Sequence, residues 1–186
     1  MMRAYTEIRR IKRLYDNWKR EKHLRMLVNN GLRLGENIQF IDSYFIDPSH
    51  CFLISIGDNC TICPNVRLIA HDASTKKTLG YTKIGKIIIH ENCFLGDSAL
   101  VLPNVTIGPN SIIGACSVVT RDVPKDVVAA GNPAHVLCTI KEYFENIQKA
   151  ACNRKIFDET YLIGNLTREK RDEIIDVVEN SVGYIV

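Results

Sequence analysis

"IHENCFLGDSALVLPNVTIGPNSIIGACSVVTRDVP", residues 89–124, divides into hexads with nothing left over. Each hexad opens on Ile, Leu or Val: Ile89, Leu95, Val101, Ile107, Ile113 and Val119. The fifth positions are Cys93, Ala99, Val105, Ser111, Ser117 and Val123, all small or β-branched. Gly, Pro, Asn and Asp crowd the positions between. Strand side chains alternate, so a fifth position and the first position after it face the same way. Gly and Asn at the turn tolerate left-handed backbone angles. Three hexads then make one triangular coil of about eighteen residues, and stacked coils bury an aliphatic column inside three parallel sheets. A sandwich has no reason to keep a strict six, and a leucine-rich repeat needs a period of about 20 or more. The fold class expected is an all-β solenoid.

The rhythm extends backwards. Hexads run from Leu34 (LGENIQ, FIDSYF, IDPSHC) and from Ile56 (IGDNCT, ICPNVR), with "FLIS" adding four residues between the sets. Leu68 opens one more hexad, which stops after Ala70. The run "HDASTKKTLGYTKIGKII", residues 71–88, then reads as a protruding loop that begins with His71. Spacing alone leaves that histidine either a surface loop residue or a functional one. The register also disposes of "CTIC": Cys60 falls on an inward fifth position and Cys63 on a turn. No second such pair and no histidine cluster follows at metal spacing, so no metal site is expected.

The chain has 186 residues, 46% of them hydrophobic and 24% charged, as in globular proteins. No apolar run is long enough to span a membrane, and the charged start does not resemble a signal peptide. A cytoplasmic location is expected, with the seven cysteines as free thiols. Residues 1–26 hold nine Lys or Arg against three acids, +6, so the rest of the chain is −3. Ala4, Ile8, Ile11, Tyr15 and Trp18 recur every three or four residues, one face of an amphipathic helix. Such a helix packs on the body or a neighbouring subunit, or lies on an anionic membrane surface as a peripheral contact. Nothing else basic or aromatic supports a nucleic-acid partner. The organisation expected is a basic helical segment over 1–30, a repeat domain over 31–137 with the loop 71–88, and a helical C-terminal cap and extension over 138–186. Within the last, Thr167 is placed as a helix N-cap.

The hexads resemble the left-handed parallel β-helix acyltransferases, the hexapeptide-repeat enzymes. The looped histidine of "AHDASTKKTLGYTKIGK" and the ending "AAGNPAHV" resemble the branch of maltose and galactoside O-acetyltransferases and of capsular and O-antigen polysaccharide acetyltransferases. The resemblance implies acetyl-CoA as co-substrate and a sugar hydroxyl as acceptor. It also implies a homotrimer with active sites between subunits. It assigns His71 as general base, with direct transfer in a ternary complex; a covalent route through Cys63 lacks any mark of an activated thiol. The backbone around Asp97 lies near the thioester, where that branch usually has Ser. Ala115 (backbone), Thr120 and Arg121 carry over as coenzyme contacts, the cation suiting phosphate. Basic residues usual after the "GNP" turn are replaced by His135 and Cys138, with Lys141 as a substitute. Asp42 and Tyr81 are candidate acceptor contacts, each also open to a structural role. His90 is expected on a surface turn and His50 beside the core.

Three rival functions stand beside an O-acetyltransferase of surface glycan biosynthesis. An N-acetyltransferase for a nucleotide-linked amino sugar would also use His71, but that branch generally carries an extra N-terminal αβ domain. A zinc carbonic anhydrase on the same scaffold needs a close pair of histidines, which the spacing of His50, His71 and His90 does not supply. A non-catalytic scaffold would not bind CoA.

Overall fold

The computed structural model describes residues 18–186. The proposed apolar stripe at Ala4, Ile8, Ile11 and Tyr15 lies outside the described residues. Residues 18–29 are helical. The helix ends as hydrogen-bond physics requires: Leu32 N–H donates to the Leu27 carbonyl at 3.0 Å and Gly31 N–H to that of Val28 at 2.9 Å. Gly31 sits at φ 102°, a left-handed angle that costs glycine nothing. The buried pair Leu27 and Leu32 clamps this turn onto the core.

From there the chain visits three parallel sheets in strict rotation. The first contains Arg33–Leu34, Ile54–Ile56, Ile87–Ile89 and Val105–Ile107. The second contains Gln39–Phe40, Thr61–Ile62, Phe94–Leu95, Ile112–Ile113 and Val127–Gly131. The third contains Tyr44–Ile46, Val66–Leu68, Leu100–Val101 and Val118–Val119. Phe94 pairs with Ile112, one eighteen-residue period on. Tyr44 pairs with Val66, an offset longer by four, because Cys51–Leu53 forms a 3₁₀ turn within the extra residues. Ile54 pairs with Ile87, longer by fifteen, the length of the excursion.

The inward positions close the core. All six first positions from Ile89 to Val119 are at most 1% exposed, and the fifth positions at most 6%. At about 1.5–3 kcal/mol for each large aliphatic side chain removed from water, this column dominates the stability. The polar exceptions are satisfied: Ser111 Oγ donates to the Pro124 carbonyl at 2.8 Å, and Ser117 Oγ accepts from Gly131 N–H at 3.1 Å. The fourth positions supply the left-handed turns: Asn37, Asn59, Asn65, Asn92, Ser98, Asn104, Asn110 and Cys116 all have φ between 55° and 65°. Asn37, Asn59, Asn92, Asn110 and Asp126 link side chain to side chain in a ladder of 2.8–3.3 Å bonds along one edge.

Two boundaries differ from the sequence reading. The wall resumes at Ile87, not Ile89, because Ile87 is itself an inward fifth position, 0% exposed. A lysine at the head of its hexad, Lys83, concealed the register. At the other end residues 138 and 139, expected in the helical cap, belong instead to the segment Ala134–Thr139. It is a strand running antiparallel to Val127–Gly131, joined through Asn132 and Pro133, and it covers the sheet edge. The helix begins at Ile140 and runs to Ala151.

Residues 141–186 form a second compact unit. Within it Ile156–Phe157 pairs with Tyr184–Ile185, and Tyr161 donates to Glu173 at 2.6 Å. Thr167 caps Arg168–Val178, its side chain accepting from Lys170 N–H. No helix among the described residues is long and apolar enough to cross a membrane.

Candidate active site

His71 stands where the chain leaves the wall. Leu68 is held between Ile46 and Val101, and Ala70 is fully buried. Beyond it His71–Asp72 pairs antiparallel with Lys83–Ile84, which closes the base of the excursion. A single helical turn, Lys76–Leu79, ends on Gly80 at φ 83°. Thr75 Oγ1 ties the tip by donating to the Tyr81 carbonyl at 2.9 Å. Asp72 accepts from Ser74, a bond that holds its carboxyl below the usual range.

The partner of His71 is Asp47, which sequence reasoning missed. Asp47 follows the strand Tyr44–Ile46, and its N–H extends the ladder to the Leu68 carbonyl at 2.9 Å. Its side chain is 0% exposed. Burying a carboxylate costs several kcal/mol unless donors surround it. Here three do: Ser49 N–H on Oδ1 at 3.1 Å, Ala70 N–H on Oδ2 at 3.2 Å, and His71 Nδ1 on Oδ2. A carboxylate accepting at Nδ1 fixes the proton there and leaves Nε2 as a lone-pair acceptor. The His71 side chain is 34% exposed, so a substrate can reach it.

His50 completes the cluster. Its Nδ1 lies 3.6 Å from the same Asp47 Oδ2, buried and without a hydrogen-bond partner. Its ring centroid is 4.9 Å from that of His71. Asp47, His50 and His71 thus offer three ligand atoms within 4.8 Å of one another, a grouping that the sequence spacing did not reveal. The spacing argument failed because the offset of 22 between Tyr44 and Val66 folds residues 47–50 against residues 69–71. That offset was the available signal: hexad phase plus the four extra residues places Asp47 beside Ile69. His90 stays apart on an exposed turn.

The other expected residues fall on two turn columns. Thr120 and Arg121, both exposed, share the column of Ala70 and His71, since Leu68, Val101 and Val119 are stacked partners. Asp97 and Ala115 lie on the column after the second sheet, across the third sheet from His71. Cys116 N–H donates to the Asp97 carbonyl at 2.8 Å, and a Cβ on Gly96 would meet Ala115 N at 2.6 Å, so this backbone packs without a side chain between. Burial and the Asp97 carboxylate push the Cys63 thiol up, the reverse of an activated nucleophile. Asp42 is engaged by Arg20 at 3.6 Å and lines a cavity of about 430 Å³ with Lys19, His23 and Tyr44. Tyr81 is 63% exposed at the tip. His135 and Cys138 lie on the strand Ala134–Thr139, and Lys141 is 4.0 Å from Glu145.

Comparison with known proteins agrees with this geometry. The family model "Bacterial transferase hexapeptide (six repeats)" matches residues 86–121, the most regular part of the wall. Protein CapG of Staphylococcus aureus is 37% identical over 128 residues, 65% of this chain and 73% of that one. The chain belongs to the hexapeptide-repeat transferase family. Within the family, the galactoside O-acetyltransferase of Escherichia coli (strain K12) is 38% identical over 109 residues, 57% of this chain. The match takes in about half (50%) of that relative's length. A hexapeptide-repeat acetyltransferase of Vibrio cholerae, solved in complex with acetyl-CoA, superposes with a TM-score of 0.53 at 27% identity, covering 59% of this chain and 60% of that one.

Proposed function

We propose that this chain transfers the acetyl group of acetyl-CoA to a sugar hydroxyl in surface polysaccharide biosynthesis, with His71 as general base. The observation that carries the reading is the His71 side chain, set at the mouth of the excursion with Nδ1 held by the buried Asp47 carboxylate. A sugar hydroxyl attacks a thioester only as its proton is taken, and imidazole Nε2 is the group offered. Asp47 orients the ring and stabilises the imidazolium as the proton arrives. The same proton then returns to the departing CoA thiolate. The backbone at Asp97 receives the oxyanion, Ala115 and Thr120 line the coenzyme, and Arg121 meets its phosphates. Asp42 and Tyr81 contact the acceptor.

The three sheets are read as faces of a left-handed parallel β-helix. A homotrimer is part of this reading, and the turn columns support contact between copies. His71 and the Asp97–Ala115 backbone sit at opposite edges of one sheet, so two copies packed edge to edge are needed to enclose one thioester. The names of the galactoside O-acetyltransferase and the acetyl-CoA complex support the reaction class. The test is a screen with radiolabelled acetyl-CoA over free sugars, nucleotide sugars and capsular repeat units. The reading expects label on a hydroxyl. Label on an amine of a nucleotide sugar would replace it with N-acetylation, and absence of any CoA binding would leave a scaffold.

A further inference from the structure

We infer that Asp47, His50 and His71 form a binding site for a single zinc-class divalent ion, and that the ion switches off His71 as a base. The binding half stands on the cluster alone; the inhibitory half rests on the acetyl-transfer reading above.

The donor set is two imidazoles and one carboxylate, the chemistry of borderline transition ions rather than of Mg²⁺ or Ca²⁺. The three ligand atoms lie within 4.8 Å of one another, and both Nδ1 atoms converge on the same oxygen, Asp47 Oδ2. Ligands on tetrahedral zinc lie roughly 3.3 Å apart. His50 Nδ1, at 3.6 Å from Oδ2, is already near that spacing. An independent observation points the same way. His50 Nδ1 is buried without a hydrogen-bond partner, a group that a structure of this kind ordinarily satisfies. The supports are built in as well: Ser49 N–H holds Oδ1 and Ala70 N–H holds Oδ2, fixing the carboxylate as outer partners do in metal sites. The histidine side chains are 26% and 34% exposed, leaving a fourth position open to water.

The consequence for the base follows from tautomers. In the free protein His71 carries its proton on Nδ1, toward Asp47. An ion at Nδ1 takes that nitrogen's lone pair, so the neutral ring's single proton moves from Nδ1 to Nε2 and none is released. Nε2–H cannot accept a proton from a hydroxyl. Zinc therefore inhibits without blocking the coenzyme contacts at Ala115 and Thr120.

Calorimetric titration of the chelator-treated full chain with ZnCl₂ tests the site. One ion per chain is expected, with affinity falling at least about 100-fold in His50→Ala, since even outer-shell losses cost 10–100-fold. No saturable one-to-one binding, or equal affinity in His50→Ala, overturns it. Should that variant not fold, nitrogen NMR of ¹⁵N-histidine wild type decides: zinc must shift Nδ1 of two histidines, and a shift of none overturns the site. Zinc is expected to lower acetyl transfer at least tenfold, reversibly with chelator. His50→Ala, scored against its own metal-free rate, should need about 100-fold more zinc. One-to-one binding without inhibition overturns the switch. Binding without any acetyl transfer leaves the site standing and removes the proposed function. His71-dependent transfer without binding does the reverse.

Discussion

Asp47→Asn isolates what the buried carboxylate does for His71. The substitution keeps the shape but only one acceptor oxygen: with it on Ser49 N–H, the amide nitrogen takes the place of Oδ2 and leaves Ala70 N–H unpaired, at about 1–3 kcal/mol. It removes the charge that meets the imidazolium and offers an amide N–H where the carboxylate accepted from Nδ1. A hydrogen bond to a charged group is worth about 1.5–3 kcal/mol, or roughly 10–150-fold in rate. An amide that donates to Nδ1 would also place the proton on Nε2, deepening the loss. The expected result is kcat down at least tenfold with KM for acetyl-CoA within about threefold, because the coenzyme contacts lie elsewhere. The assay is CoA release with the best acceptor of the panel, alongside a thermal melt. A variant that melts with wild type and keeps more than half its kcat would refute the dyad. Asp47→Ala is a harsher control: it orphans two buried N–H groups at about 1–3 kcal/mol each, so it should fail first in the melt.

Ile113→Ala, at a fully buried first position, should cost about 2–5 kcal/mol of stability, read by denaturant unfolding. Asn92→Ala should cost about 1 kcal/mol or more, because Asn adopts the left-handed φ of 57° more readily than Ala and two ladder bonds are lost. Asn92→Gly should recover the backbone part of that loss in the same experiment. An inter-subunit site predicts complementation between His71→Ala and Ala115→Trp chains refolded together. With random assembly about a quarter of the sites pair intact halves, giving about a quarter of wild-type activity. A site built within one chain would give none.

The repeat made the wall legible: twelve inward positions named from spacing are all nearly unexposed. It could do so because a period of six is a packing rule that each hexad states locally. The site was half legible. His71 stood out because it interrupts the rule, but Asp47 and His50 occupy ordinary hexad positions, where an acid in a turn looks like solvent-facing filler. Only the offset across the four extra residues reveals that they face residues 69–71. Ile87 was hidden by Lys83, and the strand end at Cys138 and Thr139 by its place just ahead of "KEYFENI", which reads as helix until a sheet edge is there to receive it.

The central claim is that His71 removes the acceptor proton. Single-turnover acetyl transfer by wild type and His71→Ala, both saturated with acetyl-CoA and acceptor, tests it most directly. The account predicts a fall of about 10²–10⁴-fold with acetyl-CoA affinity unchanged. Transfer at the wild-type rate in His71→Ala would contradict it.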